Sequence, residues 1–196
     1  EVRDLSVPGF AAGVSFTLRK GEILGFAGLI GAGRTELIEG VNGLRPAHGA
    51  VEVEGRPIRL GSVRESMKAG MVYLSEDRTL AALRRFLRGG SIDRRAEERE
   101  LDAAIGTFDI RARRKEMLAG QLSGGNQQKL LLAKMMLLAP DIVIIDEPTR
   151  GIDIGTRQQI YRFIAGLAAE GKAVIVISSE MQELIGLCHR ILVMRA

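Results

Sequence analysis

The sequence predicts an α/β fold: a mostly parallel sheet wrapped by helices, with an antiparallel edge region and an inserted helical subdomain at approximately residues 79–138. Three observations predict it. Residues 22–27, 142–145 and 174–177 are short, nearly continuous apolar runs, the pattern of strands buried on both faces. Helical segments stand between these runs, and parallel neighbours need such crossovers. After residue 74 the composition shifts to a polar Arg- and Glu-rich stretch, helical up to about residue 105 and unlike the strands around it.

Taken in order, residues 14–18 alternate as a half-buried strand, and 22–27 run apolar into a glycine-rich turn. A helix is expected over 35–41. Residues 51–55 alternate and then turn, which suggests an antiparallel edge segment. Residues 71–74 read as another short strand. Beyond the polar stretch come a helix starting near Gly124, a strand at 142–145, a helix at about 154–169, a strand at 174–177 and a last strand at 191–194. No internal repeat is visible.

Composition narrows the function classes. A chain of 196 residues with 46% hydrophobic and 27% charged content suits one soluble domain. The lone Cys188 excludes an internal disulfide framework, no Cys/His cluster has zinc spacing, and a reducing compartment follows. Cys188 itself reads as packing. Residues 130–145 are the most apolar, but Lys134, Pro140 and Asp141 interrupt them, which rules against a membrane span. The start, Glu1-Val2-Arg3-Asp4, has neither an initiator Met nor a signal pattern, so the chain is expected to be a piece of something longer. A net charge of +4 and a pI near 9.6 raise the question of nucleic acid. The arginines at 84, 85, 88, 94 and 95 are followed by Glu97, Glu98 and Glu100, and aromatics make up only 4%, so no nucleic-acid partner is expected. His48 and His189 show no partner and read as surface or filler residues, and Met135-Met136 fit a packed helix.

Gly28-Leu29-Ile30-Gly31-Ala32-Gly33-Arg34-Thr35 has P-loop spacing after a strand and before a helix, with Arg34 where the motif has Lys. The glycines let successive amides curl around phosphate oxygens, and the helix adds the positive end of its dipole. Thr35 is placed to offer a hydroxyl to Mg2+. The rival dinucleotide fingerprint, starting at Gly31, needs glycine at position 36, where the chain has Glu36. Glu36 favours the helix dipole and repels phosphate. Arg34 keeps the charge but replaces a compact ammonium with a planar fork.

The strand at 142–145 ends in Asp146 and Glu147, a Walker B pattern. Such a strand delivers Asp146 to a metal shell, and Glu147, one residue on, polarises the attacking water as the catalytic residue. The bland alternative is a strand leaving the core at Pro148; a P-loop in the same sheet weighs against it.

Leu122-Ser123-Gly124-Gly125-Asn126-Gln127-Gln128-Lys129 closely resembles the signature of ATP-binding-cassette proteins. Ser123 and the amides of Gly124 and Gly125 stand at a predicted helix start, a second anion-binding terminus. The order P-loop, helical insertion, signature, Walker B is similar to that family over essentially the whole chain. The resemblance implies a P-loop NTPase that binds ATP and Mg2+, with two cassettes clamping ATP head to tail. It implies nucleotide contacts from Gly28, Gly31, Ala32, Gly33, Arg34, Thr35 and Glu36, and from Ser123, Gly124, Gly125 and Gln127 toward the partner cassette. Asp153, in Thr149-Arg150-Gly151-Ile152-Asp153, resembles the acidic member of the loop through which cassettes communicate, and it also suits a helix cap. Gly31 to Glu36, Ser75-Glu76-Asp77-Arg78, the Asn-Gln-Gln-Lys signature and Ser178-Ser179-Glu180-Met181 resemble the C-terminal cassette of tandem ATPase subunits of ribose- and galactose-type importers. That resemblance implies permease membrane subunits, an indirect periplasmic sugar-binding protein, and peripheral work on the cytoplasmic face of the membrane. Nucleoside importers use similar ATPases.

Four positions depart from the family pattern. Ser179 stands where most cassettes have the His that senses the γ-phosphate; with Gln182 it reads as a capping box for the next helix. Glu76 stands in place of a glutamine that contacts magnesium, and a carboxylate keeps that metal role open. With Arg34 and Glu36 also changed and the signature intact, the expectation is an asymmetric pair: this cassette lends a good signature and its own P-loop forms the weaker site. A largely non-hydrolytic clamp is the alternative. The stretch after Arg78 is shorter than the family shows, and among the aromatics only Phe10 is a candidate for stacking on adenine.

Overall fold

Continuous apolar runs fold as the interior of a parallel sheet, and alternating ones as an antiparallel sheet, in the computed structural model of the chain, which describes residues 1–74, 87–88, 91–92, 94–110 and 122–195. In chain order these form β1 (Val2–Val7), β2 (Ala11–Phe16), β3 (Ile23–Ala27), α1 (Arg34–Val41), β4 (His48–Val53), β5 (Arg56–Ile58), α2 (Val63–Lys68), β6 (Met71–Leu74), β7 (Leu87–Arg88), β8 (Ser91–Ile92), α3 (Arg94–Phe108), α4 (Gly124–Met136), β9 (Ile142–Asp146), α5 (Ile154–Ala169), β10 (Ala173–Ile177), α6 (Met181–Leu187) and β11 (Arg190–Val193). Two compact units result. The first is Glu1–Glu76 with Pro140–Pro148 and Tyr161–Ala196; the second is Asp77–Ala139 with Thr149–Ile160.

In the first unit a five-stranded sheet has the order β11-β3-β10-β9-β6, with all its pairs parallel. Every residue of β3 and β10 is buried, as their unbroken apolar runs require. A four-stranded antiparallel sheet has the order β2-β1-β4-β5. Between them lies the core, in which Phe26, Leu24, Leu37, Ile38 and Ile144 are fully buried and Phe16 meets Phe26 edge-on at 5.1 Å. Each such side chain contributes about 1.5–3 kcal/mol. The start of β3 is tied down: Arg190 Nε donates to Glu22 Oε1 at 2.9 Å, and the Ile23 amide donates to His189 Nδ1 at 3.0 Å. His189 is therefore a partnered residue, against the expectation of a filler. Burial pushes the Cys188 thiol up to about 12, which keeps it a packing group.

Several elements differ from the expected ones for local reasons. β1 was not expected; its apolar residues fall at 2, 5 and 7, because Asp4 at φ 46° breaks the alternation where the register with β2 shifts. The strand expected at 14–18 is β2 at 11–16, its end set by pairing of Phe16 with Val2. The segment around 51–55 is antiparallel as expected, but β4 lies inside its sheet, and the edge is taken by β5, a three-residue strand carrying Pro57. The polar helix α2 shows little apolar period; Ser66, buried, donates to the Asn42 carbonyl.

In the second unit, α3 packs with α4, and Lys129 Nζ, buried on α4, donates to the Asp109 carbonyl at 2.9 Å. β7 and β8 pair as a short antiparallel ladder. Gly125, Gln128, Leu131, Leu132 and Met135 lie on the buried face of α4. Among the described residues no helix is long and apolar enough to cross a membrane.

Candidate nucleotide site

The loop after β3 is shaped by close backbone contacts. Gly33, the N-cap of α1, is left-handed at φ 78°, and the Phe10 carbonyl sits so close to its Cα that any Cβ would collide. The Ala32 amide donates to the Leu29 carbonyl at 3.0 Å, closing a turn. Leu29 and Ile30 protrude at its tip, 85% and 93% exposed. Gly28, Gly31, Ala32 and Gly33 belong to this turn, and Glu36 lies half-buried in the first turn of α1. Phe10 is beside this loop with the Arg45 guanidinium 4.8 Å over its ring.

Three elements bring the charged groups together in the first unit. β10 pairs with both β3 and β9, so the turn and the acidic strand end flank its terminus. Asp146, buried at the end of β9, accepts on Oδ2 from Thr35 Oγ1 at 2.8 Å and from Tyr73 Oη at 3.0 Å. Burial pushes the Asp146 carboxyl above its usual range, and the neighbouring Glu147 adds to the rise, while the Thr35 and Tyr73 donors and Arg34 oppose it. Burial and the Asp146 charge push the Tyr73 phenol up as well. Tyr73 was missed from the sequence, though its place was readable: β6 pairs with β9 in a register that sets Tyr73 opposite Ile144, two residues before Asp146.

Glu147 adopts φ 49°, and its amide donates to the Ile177 carbonyl at 2.9 Å. Its carboxylate is seated on Ser179, whose amide donates to Oε1 at 2.9 Å and whose hydroxyl donates to Oε2 at 3.2 Å. Ser179 is therefore not the cap of the next helix. The N-cap of α6 is Glu180, which makes no side-chain cap, and the turn is closed instead by the Glu180 amide donating to Ser178 Oγ at 3.0 Å. The Ser179 hydroxyl is turned toward the Glu147 carboxylate and not toward the helix amides. Arg34, 8% exposed, donates from Nη1 to the Ser178 carbonyl, and its Nη2 lies 4.0 Å from Glu147 Oε1.

The hydroxyl of Thr35 and the carboxylate of Asp146 are hard oxygen donors in contact, and no cluster of three His, Cys, Asp or Glu exists among the described residues. That donor set fits Mg2+, which keeps waters and phosphate oxygens as its other ligands. Glu76, the remaining metal candidate, lies outside the described residues.

The signature belongs to the second unit. Ser123 is the N-cap of α4 by backbone conformation, at φ −61° and ψ 154°, without a side-chain cap. Its Oγ accepts from Asn126 Nδ2 at 2.9 Å, and Gln127 Nε2 donates to the Leu122 carbonyl at 2.8 Å. Gly125 packs against Thr156, whose Cγ2 would lie 2.8 Å from any Cβ there, and a Cβ on Gly124 would lie 3.7 Å from the Gly151 carbonyl. Asp153 accepts from the Thr156 amide at 3.0 Å, as its capping role predicts, and chiefly that bond holds its carboxyl below the usual range. Signature and Asp153 loop are thereby joined at Thr156.

Residues 11–150 match the model of the ABC transporter family. The chain is 42% identical to a ribose import ATP-binding protein RbsA of Clostridium perfringens, over 99% of this chain and 42% of that protein. It is 43% identical to a xylose import ATP-binding protein XylG of Burkholderia cenocepacia, over 92% and 38%. The chain thus spans about two fifths of the length of the curated relatives it matches. In fold it is similar to a nucleotide-free ATP-binding cassette from an ABC transporter, with a TM-score of 0.80 at 20% identity over 98% of this chain and 86% of that one. A cassette solved in a post-hydrolysis state with ADP and Pi also gives 0.80, at 17% identity over 99% and 93%. With a P-loop, an acidic strand end and a signature each built as described, and a family match covering residues 11–150, this chain belongs to the ABC transporter family.

Proposed function

We propose that this chain is the ATP-binding and ATP-hydrolysing module of a sugar importer. The observation that carries the reading is the contact of Thr35, in the first turn of α1, with Asp146, with Glu147 next in sequence. The amides of residues 28–35 hold the phosphates of ATP, with Gly28, Gly31, Ala32, Gly33 and Thr35 closest and Phe10 facing the adenine. Thr35 and Asp146 hold Mg2+, which supplies charge neutralisation on the phosphates, and Glu76 is a third candidate ligand. Glu147 takes a proton from water as the water oxygen attacks the γ-phosphorus. The bond to the β–γ bridging oxygen breaks, and ADP leaves.

Ser123, Gly124, Gly125 and Gln127 serve the nucleotide of a second cassette, and Asp153 carries the state of one site to the other. The relatives named for ribose and xylose import support sugar as the transported class. That reading brings with it permease subunits as partners, a periplasmic binding protein as an indirect one, and the cytoplasmic face of the membrane as the place of work.

The test is Mg-ATP binding and sugar uptake by the full-length chain reconstituted with its permease. Glu147→Gln is expected to keep ATP binding and lower turnover by about 100-fold or more. A wild-type chain that takes up no Mg-ATP by calorimetry, alone or with its partners, overturns the proposal.

A further inference from the structure

Arg34 occupies the place from which a P-loop cation ordinarily reaches phosphate, yet its guanidinium is turned inward. The side chain is only 9% exposed, and its stem lies under the loop, with Cδ 3.3 Å from where a Cβ on Gly28 would stand. One arm of the fork donates to the Ser178 carbonyl and the other faces Glu147 Oε1 at 4.0 Å. Ser178 and Ser179 are adjacent, and Ser179 seats both oxygens of the Glu147 carboxylate. The chain of contacts therefore runs from Arg34 through the 178–179 corner to Glu147.

We propose that Arg34 is a positioning residue for Glu147 rather than a phosphate ligand: it anchors the 178–179 corner on which the Glu147 carboxylate rests. A planar fork holds its donors at a fixed spacing toward a carbonyl and a carboxylate, whereas a lysine ammonium is a point charge on a flexible stem. A buried guanidinium that left both partners for a phosphate would give up its bond to the Ser178 carbonyl and, among the described residues, the ion pair it makes with Glu147. The Glu147 backbone is held at the same place, through its amide on the Ile177 carbonyl, which is the peptide leading into the corner. Ser179 then does structural work for the base, which explains a hydroxyl residue where both a donor amide and a donor side chain are used.

The inference rests on reading Glu147 as the residue that orients water, and the test separates the two. In the full-length chain, Mg-ATP affinity and single-turnover rate are measured for wild type, Arg34→Gln, Ser179→Ala and the double variant. Arg34→Gln is expected to hold affinity within about threefold while the rate at saturating ATP falls about tenfold or more. The double variant should be no slower than the slower single one, because both remove one support. A tenfold loss of affinity in Arg34→Gln, or rate losses that multiply in the double variant, overturns the proposal. Should wild type bind ATP without turnover, the hydrolytic reading falls, and the affinity of Arg34→Gln still tests the other half: retention upholds that Arg34 is no phosphate ligand, and a tenfold loss overturns it.

Discussion

The helices α1 and α4 both start at glycines, but they start in opposite ways. At α1 the N-cap is a left-handed glycine pressed by the Phe10 carbonyl, the first turn carries Glu36, and Thr35 is already bonded to Asp146. At α4 the N-cap is Ser123 in an extended conformation, the first turn has no acidic residue, and the Asp153 carboxylate is engaged by the Thr156 amide. One start is a site completed by its own unit. The other carries no acidic side chain of its own in the first turn, so the positive end of its dipole is left uncompensated within the helix. The difference suits the function proposed above, in which the first start holds nucleotide and the second is lent.

The contrast can be broken most severely at Gly33. Alanine there meets both a left-handed backbone and the Phe10 carbonyl, so Gly33→Ala should cost about 3 kcal/mol and abolish Mg-ATP binding, read by urea denaturation and calorimetry. The corresponding change at the other start, Gly125→Ala, forces only the Thr156 side chain aside. Its cost should be about 1–2 kcal/mol, shrinking in a Thr156→Ala background, with ATP binding by the same chain unchanged; equal costs in both backgrounds would remove Thr156 as the joint.

Tyr73→Phe sharpens the picture of the first site. Removing one of two donors to Asp146 should cost about 1 kcal/mol of stability and reduce the Mg2+-dependent gain in nucleotide affinity, leaving metal-free binding alone. The smallest effect is at the far end of β3. Burial opposes ionisation of Glu22, but its bonds from Arg190 and the Arg19 amide prevail and hold its carboxyl below the usual range. A depressed carboxyl contributes stability above the ordinary carboxylate range and loses it as pH falls through the depressed value. Glu22→Gln should therefore cost about 1 kcal/mol at neutral pH, and the gap from wild type should close in acid, as followed by denaturation at several pH values.

The parallel strands β3, β9 and β10, α1 and both glycine-rich starts were legible because each is written in contiguous residues: an apolar run, a breaker, a cap. β1 was not, since Asp4 shifts its register, and α2 was not, since its burial rests on Ser66 and not on an apolar stripe. In the site, contiguous motifs gave Thr35, Asp146 and Glu147. Tyr73 and the Ser179–Glu147 contact depend on strand register across the sheet, which no local pattern encodes. The bias toward capping at Ser179 arose because a serine three residues before a glutamine is a local signal, while its competitor, a carboxylate at position 147, is local only in space.

The positive φ of Glu147 governs how that position can be altered. Asparagine tolerates a left-handed backbone, and glutamine keeps the side chain and conformational cost already present. Valine, isoleucine or threonine there would add branching at Cβ to an unfavourable torsion. An inactive variant made with such a residue would mix a distorted strand exit with a missing carboxylate, whereas the amide isostere removes charge and little else.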